Sequence, residues 1–279
     1  MSESLGDRMK EYESSVENNI ESDIPFLVRL DGKNFSKFTK GFKKPFDSNF
    51  NRAMEKTTHD LINKFNASTG YTSSDEITLI FPEKLNNEKH IYSGRIQKLT
   101  SIIGSYCSVR FNFHINNILS KVKDKYKPEF INLVSEYKQV FDARILFFSK
   151  DKRYEFLNHM IWRANKDCYR NTTSSFGRFI LGSEHKNKNG SQMIELMKQK
   201  GFDYDKVPLY LKYGIFCKKE LYDSEVTYLD NKITVTRNRI ISKVCDCIKY
   251  SDEMLEILFN KYWNNEDNFF IFDYDFSIN

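Results

Sequence analysis

Several features that define other classes of protein are scarce in this chain. Its 279 residues include only 5 prolines and 11 glycines, against 24 phenylalanines and 16 tyrosines. Collagen-like, low-complexity and disordered chains have the opposite bias, so the composition excludes those classes. The chain is also long enough to bury a large hydrophobic core. The sequence therefore predicts a globular protein that is rich in aromatic residues.

Long apolar runs are absent as well. No run approaches the ~18–20 apolar residues that a membrane-spanning helix needs. Near the N-terminus, Glu3, Asp7, Glu11 and Glu13 stand where a signal peptide would have its apolar stretch. The same acidity disfavours a mitochondrial transit peptide. We expect a cytoplasmic protein with no membrane partner and leave a mitochondrial location open.

Cysteine is sparse, and its spacing does not suit disulfides or zinc. The five cysteines are odd in number and contain no Cys-x-x-Cys pair. Disulfide frameworks and zinc sites need paired, regularly spaced cysteines. We therefore interpret these residues as reduced thiols of a cytosolic protein. They are Cys107, Cys168, Cys217, Cys245 and Cys247.

Charge is unevenly distributed along the chain. The formal net charge is +5, but residues 150–219 hold 15 Lys and Arg against 7 Asp and Glu, whereas residues 220–279 hold 6 against 12. A local basic excess is typical of a surface that binds a polyanion such as RNA. The alternative, a solvated face of long helices, stays open on charge alone.

The first half of the chain has the pattern of an alternating α and β domain. Residues 25–30 form an apolar run that ends in Asp31 and Gly32, as a buried strand entering a turn would. Asp47 and Ser48 are good caps for a helix that reaches Phe65. We predict further strands on both sides of an acidic turn at 73–76 and at 145–148, and a second helix at 91–103.

This order of elements is the split βαβ or ferredoxin-like plan, in which an antiparallel sheet carries its helices on one face. We therefore predict an α+β fold with a palm-like catalytic domain at residues 1–149 and a helical and β-hairpin extension at residues 150–279. In the extension we predict helices at 153–176, 191–200 and 252–262. We also predict a strand at 209–217 and a hairpin that turns at Asp230 and Asn231.

Carboxylates are concentrated at one edge of the predicted sheet. Asp75 and Glu76 lie in the turn between two strands, and Asp31 ends the strand that should lie beside them. Clustered carboxylates need a cation, and hard oxygen ligands suit Mg²⁺. Gly32 lets the main chain approach closely, so its carbonyl can add a ligand. Two such ions would activate an attacking oxygen and stabilise a leaving pyrophosphate.

The motifs around these acids resemble one known family. The chain is similar to the tRNA(His) guanylyltransferase superfamily, whose members add nucleotides to RNA 5′ ends in the 3′-to-5′ direction. The resemblance covers residues 26–214. The motifs that carry it are RLDGKNF (29–35), KPFD (44–47), SDE (74–76), FDAR (141–144), WR (162–163) and KYG (212–214).

The resemblance implies roles for individual residues. It implies that Asp31, Gly32 and Asp75 hold metal and that Asp31, Asp75 and Glu76 are catalytic. Residues expected to contact nucleotide or triphosphate are Lys33, Asn34, Phe35, Lys44, Asp47, Ser74, Lys98, Arg144 and Lys212. For Asp47 a simple helix cap is the favoured alternative. Residues expected to contact RNA are Arg163, Arg170 and Asn171.

One departure from the family pattern bears on the substrate. The branch specific for tRNA(His) carries a His-Ile-Asn-Asn signature after the Trp-Arg motif, whereas this chain has Tyr169, Arg170, Asn171 and Thr172 there. A His-Ile-Asn-Asn run does occur at 114–117, before the FDAR motif, and we interpret it as a coincidence. The departure resembles the guanylyltransferase-like proteins and favours template-dependent repair of tRNA 5′ ends.

The resemblance thus implies a nucleotidyltransferase that uses ATP, GTP and other nucleoside triphosphates, two Mg²⁺ ions and a tRNA substrate, in a homotetramer. Three alternatives stay open: addition of G at position −1 of tRNA(His), a nucleotide cyclase of palm topology, and a catalytically inactive RNA-binding protein. A cyclase needs no polyanion surface, and the intact acidic motif disfavours an inactive protein.

Overall fold

The computed structural model describes residues 4–86, 88–228, 231–264 and 270. Its strands are β1 (Phe26–Gly32), β2 (Thr69–Ser73), β3 (Glu76–Phe81), β4 (Phe141–Phe147), β5 (Ile215–Tyr228) and β6 (Asn231–Lys243). Its α-helices are α1 (Leu5–Ser15), α2 (Phe35–Phe38), α3 (Ser48–Phe65), α4 (Ile96–Ser120), α5 (Pro128–Ser135), α6 (Glu155–Ile161), α7 (Tyr169–Leu181), α8 (Gly190–Gln199), α9 (Leu209–Tyr213) and α10 (Asp252–Phe259).

The six strands form one sheet in the order β4-β1-β3-β2-β5-β6, and every neighbouring pair is antiparallel. The first four strands, with α3 and α4, reproduce the predicted split βαβ plan. This confirms the palm-like fold class. The C-terminal half continues the same sheet, because Ile215–Cys217 of β5 pair with Gly70–Thr72 of β2.

Side chains of β1 alternate between two hydrophobic clusters. Phe26, Val28 and Leu30 are buried in the cluster formed with α3 and α4. Leu27 points to the opposite face, where Phe156 and the residues of α10 cover it. Helices therefore lie on both faces of the sheet, the second set coming from the extension that follows residue 149.

Two elements differ most from the sequence prediction, and a third agrees with it. The second helix continues to Ser120, because apolar side chains recur along its full length. The predicted strand at 209–217 is wrong in its first half: Leu209–Tyr213 is helical, and Gly214, with φ of +80°, ends that helix before β5 begins. The hairpin is confirmed by the pairing of β5 with β6, although residues 229–230 of its turn lie outside the described residues.

Candidate active site

The predicted carboxylates meet where β1 ends beside the turn between β2 and β3. The backbone N–H of Gly32 donates to the carbonyl of Asp75 at 3.0 Å. Ser74 has φ of +53°, and this left-handed residue closes the two-residue turn. The Ser74 hydroxyl donates to Asp75 Oδ1 at 3.0 Å. The turn thereby places Asp75 next to the end of β1 and close to Asp31.

The electrostatics of this pair suit a cation. Burial raises the pKa of the Asp75 carboxyl, and the negative charge of Asp31 raises it further. A bound cation would relieve that repulsion. The described residues contain no group of three or more His, Cys, Asp or Glu side chains suited to a metal. The residues that could hold Mg²⁺ here are Asp31, Asp75 and the Gly32 carbonyl, with water or phosphate oxygens as further ligands.

Glu76 is occupied by arginines. Arg29 donates to Glu76 Oε1 at 2.5 Å and to Asp31 Oδ2 at 3.3 Å. Arg163 makes an ion pair with the other Glu76 oxygen and bonds Asp167 at 2.6 Å. Both carboxylate oxygens of Glu76 therefore have an arginine partner. Arg163, expected to contact RNA, is only 5% exposed and its guanidinium is committed to these acids.

Arg163 and Asp167 lie in a π-helical segment, Trp162–Cys168, between α6 and α7. Such wide turns are rare and frequently occur at functional sites. Asp167 also pairs with Arg170, whose side chain is 71% exposed. Asn171 lines a pocket beside Ser73 and Ser74. Of the three residues expected to contact RNA, Arg170 and Asn171 are therefore accessible.

A second pocket opens beside the turn at the start of α3. Its lining includes Lys44, Asp47, Ser74 and Ser175. Burial, and then the positive charge of Arg178, lower the pKa of Lys44. The Lys44 ammonium donates to the Thr39 carbonyl at 2.8 Å. The pocket therefore offers a cation and a hydroxyl near the carboxylate pair.

Asp47 caps α3, as the favoured alternative predicted. Its carboxylate accepts from the backbone N–H of Asn49 at 2.9 Å and of Lys43 at 3.0 Å. The Tyr126 hydroxyl donates to the same carboxylate. Both carboxylate oxygens of Asp47 are engaged in holding the Lys44 loop against α3.

The residues after Gly32 position the backbone. Lys33 is exposed and its N–H donates to the Val140 carbonyl at 2.9 Å. Asn34 adopts φ of +60°. Phe35 is 2% exposed, with its ring in the core, so that ring is not available to a nucleotide. A Cβ at Gly32 would lie 2.5 Å from the Phe35 ring, which explains why glycine is needed there.

Arg144 and Lys212, two basic residues expected to contact the nucleotide, lie in different surroundings. Arg144 lies on β4 directly opposite Arg29 and pairs with Asp142 at 3.2 Å. Lys212 is 6% exposed and donates to the Asp205 carbonyl at 3.0 Å. Only Arg144 thus shares a register row with the Asp31 network.

Lys98 lies at the other end of the sheet. The Lys98 ammonium is 5.6 Å from the centroid of the Tyr92 ring. Tyr92 follows His90 by two residues, and the His90 ring packs on Phe26 at the start of β1. Five residues of extended strand, about 17 Å, separate Phe26 from Asp31. The structure does not bring Lys98 to the carboxylate pair within one chain.

Two residues of the site were not predicted. Arg29 bridges Asp31 and Glu76, and Asp142 lies directly opposite Asp31 on β4. The period of two along a strand puts Arg29 and Asp31 on one face, so alternation alone could have found Arg29. The position of Asp142 depends on the pairing of β1 with β4, for which the sequence gives no register.

No helix within the described ranges is long and apolar enough to cross a membrane. The chain is 41% identical to uncharacterized protein R259 of Acanthamoeba polyphaga mimivirus, over 94% of this chain and 91% of that protein. It is 25% identical to a tRNA(His) guanylyltransferase of Debaryomyces hansenii, over 95% and 97% of the two chains.

Solved structures show the same fold. A bacterial tRNA(His) guanylyltransferase (Thg1)-like protein in complex with ATP aligns with a TM-score of 0.65 at 28% identity, over 76% of this chain and 87% of that one. Such a protein in complex with GTP aligns at 0.63 and 26%, over 85% and 91%. The family model described as "Thg1: tRNAHis guanylyltransferase" matches residues 6–149, about half of the chain. The chain therefore belongs to the Thg1 family of tRNA(His) guanylyltransferases and is a nucleotidyltransferase.

Proposed function

We propose that this protein adds nucleotides to the 5′ end of tRNA in the 3′-to-5′ direction and selects them by pairing with the opposite strand. The observation that carries the proposal is the meeting of Asp31, Gly32 and Asp75 at one sheet edge, beside a pocket that contains Lys44. Family membership favours an enzyme that extends RNA over a cyclase that makes a small cyclic nucleotide.

We propose that Asp31, Asp75 and the Gly32 carbonyl hold two Mg²⁺ ions. Bound there, Mg²⁺ would stabilise charge on the phosphates and lower the pKa of an attacking hydroxyl. Arg29 keeps the Asp31 carboxylate in place through its hydrogen bond. Asp31 needs this support because a mobile carboxylate would have to be ordered in each turnover.

We expect Lys44 and Ser74 to bind the triphosphate. The Lys44 ammonium is tethered to the Thr39 carbonyl and can turn to an incoming phosphate, where it would stabilise developing charge. Arg144 provides a second, exposed cation on the same face as Asp31. Relatives solved with ATP and with GTP support nucleotides as substrates here.

The reaction that fits these residues has two stages. A 5′-monophosphate of the RNA attacks the α-phosphorus of ATP and releases pyrophosphate. The 3′-hydroxyl of an incoming nucleoside triphosphate then attacks the activated 5′ phosphorus and releases AMP. A 5′-triphosphate end would enter at the second step and release pyrophosphate instead.

The choice of nucleotide by pairing is supported by Tyr169. It occupies the position of the histidine in the tRNA(His)-specific signature, and its ring packs 5.9 Å from Tyr204 and 5.7 Å from Tyr213. Tyr169 therefore places a packed aromatic ring where the signature has a histidine. The protein would need shape and charge more than base-reading side chains.

Single-turnover addition to tRNAs that lack one 5′ nucleotide tests this proposal. Four substrates should carry each of the four opposing bases, with full-length tRNA(His) as the comparison. We expect the added base to follow the opposing base, with at least about tenfold discrimination. Addition of G alone to full-length tRNA(His), whatever the opposing base, would establish the second candidate, G addition at position −1.

We also propose three general properties of the protein. They are a division into a catalytic part at residues 1–149 and an extension at 150–279, assembly into a homotetramer, and a cytoplasmic location. The division is supported by the extension's covering of the second sheet face, where Phe156 packs on Leu27.

A further inference from the structure

A large aromatic side chain is exposed close to the carboxylate pair. Trp162 begins the π-helical segment and is 46% exposed. Its neighbour Arg163 is buried against Glu76, and the Arg163 guanidinium lies 5.1 Å from the indole centroid. About half of this large aromatic side chain is thus accessible to a ligand, beside the ion pairs of Glu76.

His159 lies edge-on beside this indole, with 5.9 Å between the ring centroids. Its Nε2 is buried and has no hydrogen-bond partner in the part of the chain that the structure describes. Burial, and then the charge of Arg29, lower the pKa of His159 to about 4. The imidazole is therefore neutral at pH 7, and its Nε2 is a buried polar atom that lacks the partner such atoms normally have.

Both residues lie on the face of the sheet that carries the transfer site. Arg163 reaches Glu76, which stands directly opposite Asp31 in the register of β1 and β3. His159 is close enough to Arg29 for the charge of Arg29 to affect its pKa. A ligand that meets Asp31 and Arg144 would thus pass near the indole of Trp162.

We propose that Trp162 is a stacking platform for a nucleobase at the transfer site, with the buried His159 ring packed edge-on beside it. Every base has a π-face, so stacking on an aromatic ring binds nucleotides without selecting among them. This tolerance suits an enzyme whose choice is made by base pairing. The inference rests on the proposed function and adds to it the residue that holds the base.

The base can belong to a free nucleoside triphosphate or to the 5′ end of the RNA, and tryptophan fluorescence separates the two. The chain has 2 tryptophans, and the other, Trp263, is 7% exposed. Wild type and Trp162→Phe should be titrated with GTP, with ATP, and with an acceptor-stem RNA that lacks one 5′ nucleotide. We expect quenching in wild type and its loss in Trp162→Phe. Quenching by nucleotide alone identifies the incoming base, and quenching by RNA alone identifies the 5′ end.

Steady-state kinetics can distinguish base stacking by Trp162 from a merely structural role, because loss of stacking raises KM and leaves kcat nearly unchanged. Trp162→Ala should raise the KM of the quenching ligand between about fivefold and a hundredfold, as expected for loss of one base stack, with kcat within twofold. Trp162→Phe should recover part of this loss. Phe179→Ala, at an aromatic on α7 that is 60% exposed, is the matched control.

Equal quenching in wild type and Trp162→Phe, or equal kinetics for Trp162→Ala and Phe179→Ala, would overturn the inference. Failure of the proposed function is distinguishable, because it would appear as wild-type protein that adds no nucleotide to any RNA. The quenching titration measures base stacking independently of that activity.

Discussion

The two faces of the sheet differ in what they bury: one is wholly apolar at β1, and the other combines an apolar cluster with the ion pairs of the site. On the face packed by α3 and α4, β1 contributes Phe26, Val28 and Leu30, all fully buried in one apolar cluster. On the other face the same strand contributes Arg29 and Asp31, which join an ion-pair network that reaches the π-helical segment. Neighbouring residues of one strand therefore have separable roles, which substitutions can test.

One of the two largest effects on stability should come from Glu76, on the face of the sheet that carries the ion-pair network. Glu76→Ala removes the carboxylate shared by Arg29 and Arg163 and leaves buried guanidinium groups with less compensation. We expect a loss of about 3 kcal/mol in the free energy of unfolding, measured by urea denaturation, with a smaller loss for Glu76→Gln. Unchanged stability together with loss of metal-dependent activity would instead make Glu76 a metal ligand.

Leu30 tests the apolar face. Leu30→Ala removes a fully buried side chain and should lower the free energy of unfolding by about 2–5 kcal/mol. The transfer rate of the protein that remains folded should stay within twofold of wild type. Intact stability with lost catalysis would show that the two faces are not separable in this way.

Lys44 sharpens the comparison at the pocket. Lys44→Ala should raise the KM for nucleoside triphosphate about tenfold, a loss of ~1.4 kcal/mol in binding. Lys64→Ala, at an exposed lysine in the last turn of α3, should not. The lowered pKa of Lys44 means that its charge is lost at a lower pH than in an ordinary lysine. Nucleotide binding should therefore weaken as the pH rises into the alkaline range, and Lys44→Arg should remove this pH dependence.

The smallest effect should come from the helix cap. Asp47→Ala removes the acceptor for the N–H groups of Asn49 and Lys43 and should lower the free energy of unfolding by about 1–2 kcal/mol. Asp47→Asn should lose less, because its amide oxygen can still cap α3. A large change in nucleotide KM with no change in the denaturation midpoint would assign Asp47 to the ligand instead.

The sequence predicted the palm because its strands and helices carry strong periodic patterns. Asp31, Asp75 and the α3 cap followed from strand ends, a turn and a capping residue, all of which are local signals. The pairing of Arg163 with Glu76 spans 87 positions and depends on how the extension packs. The helix at Leu209–Tyr213 was missed because a five-residue segment in which all residues but Lys212 are apolar or aromatic fits a buried strand equally well.

The proposed nucleotide transfer depends most directly on the carboxylates of Asp31 and Asp75. The decisive measurement is single-turnover nucleotide addition with Mg²⁺ by Asp31→Asn and Asp75→Asn, with circular dichroism to verify folding. We predict rates reduced by about a thousandfold or more in both folded variants, since several kcal/mol of phosphate charge stabilisation would be lost. Transfer rates close to wild type in either folded variant would contradict the placement of the reaction at this edge.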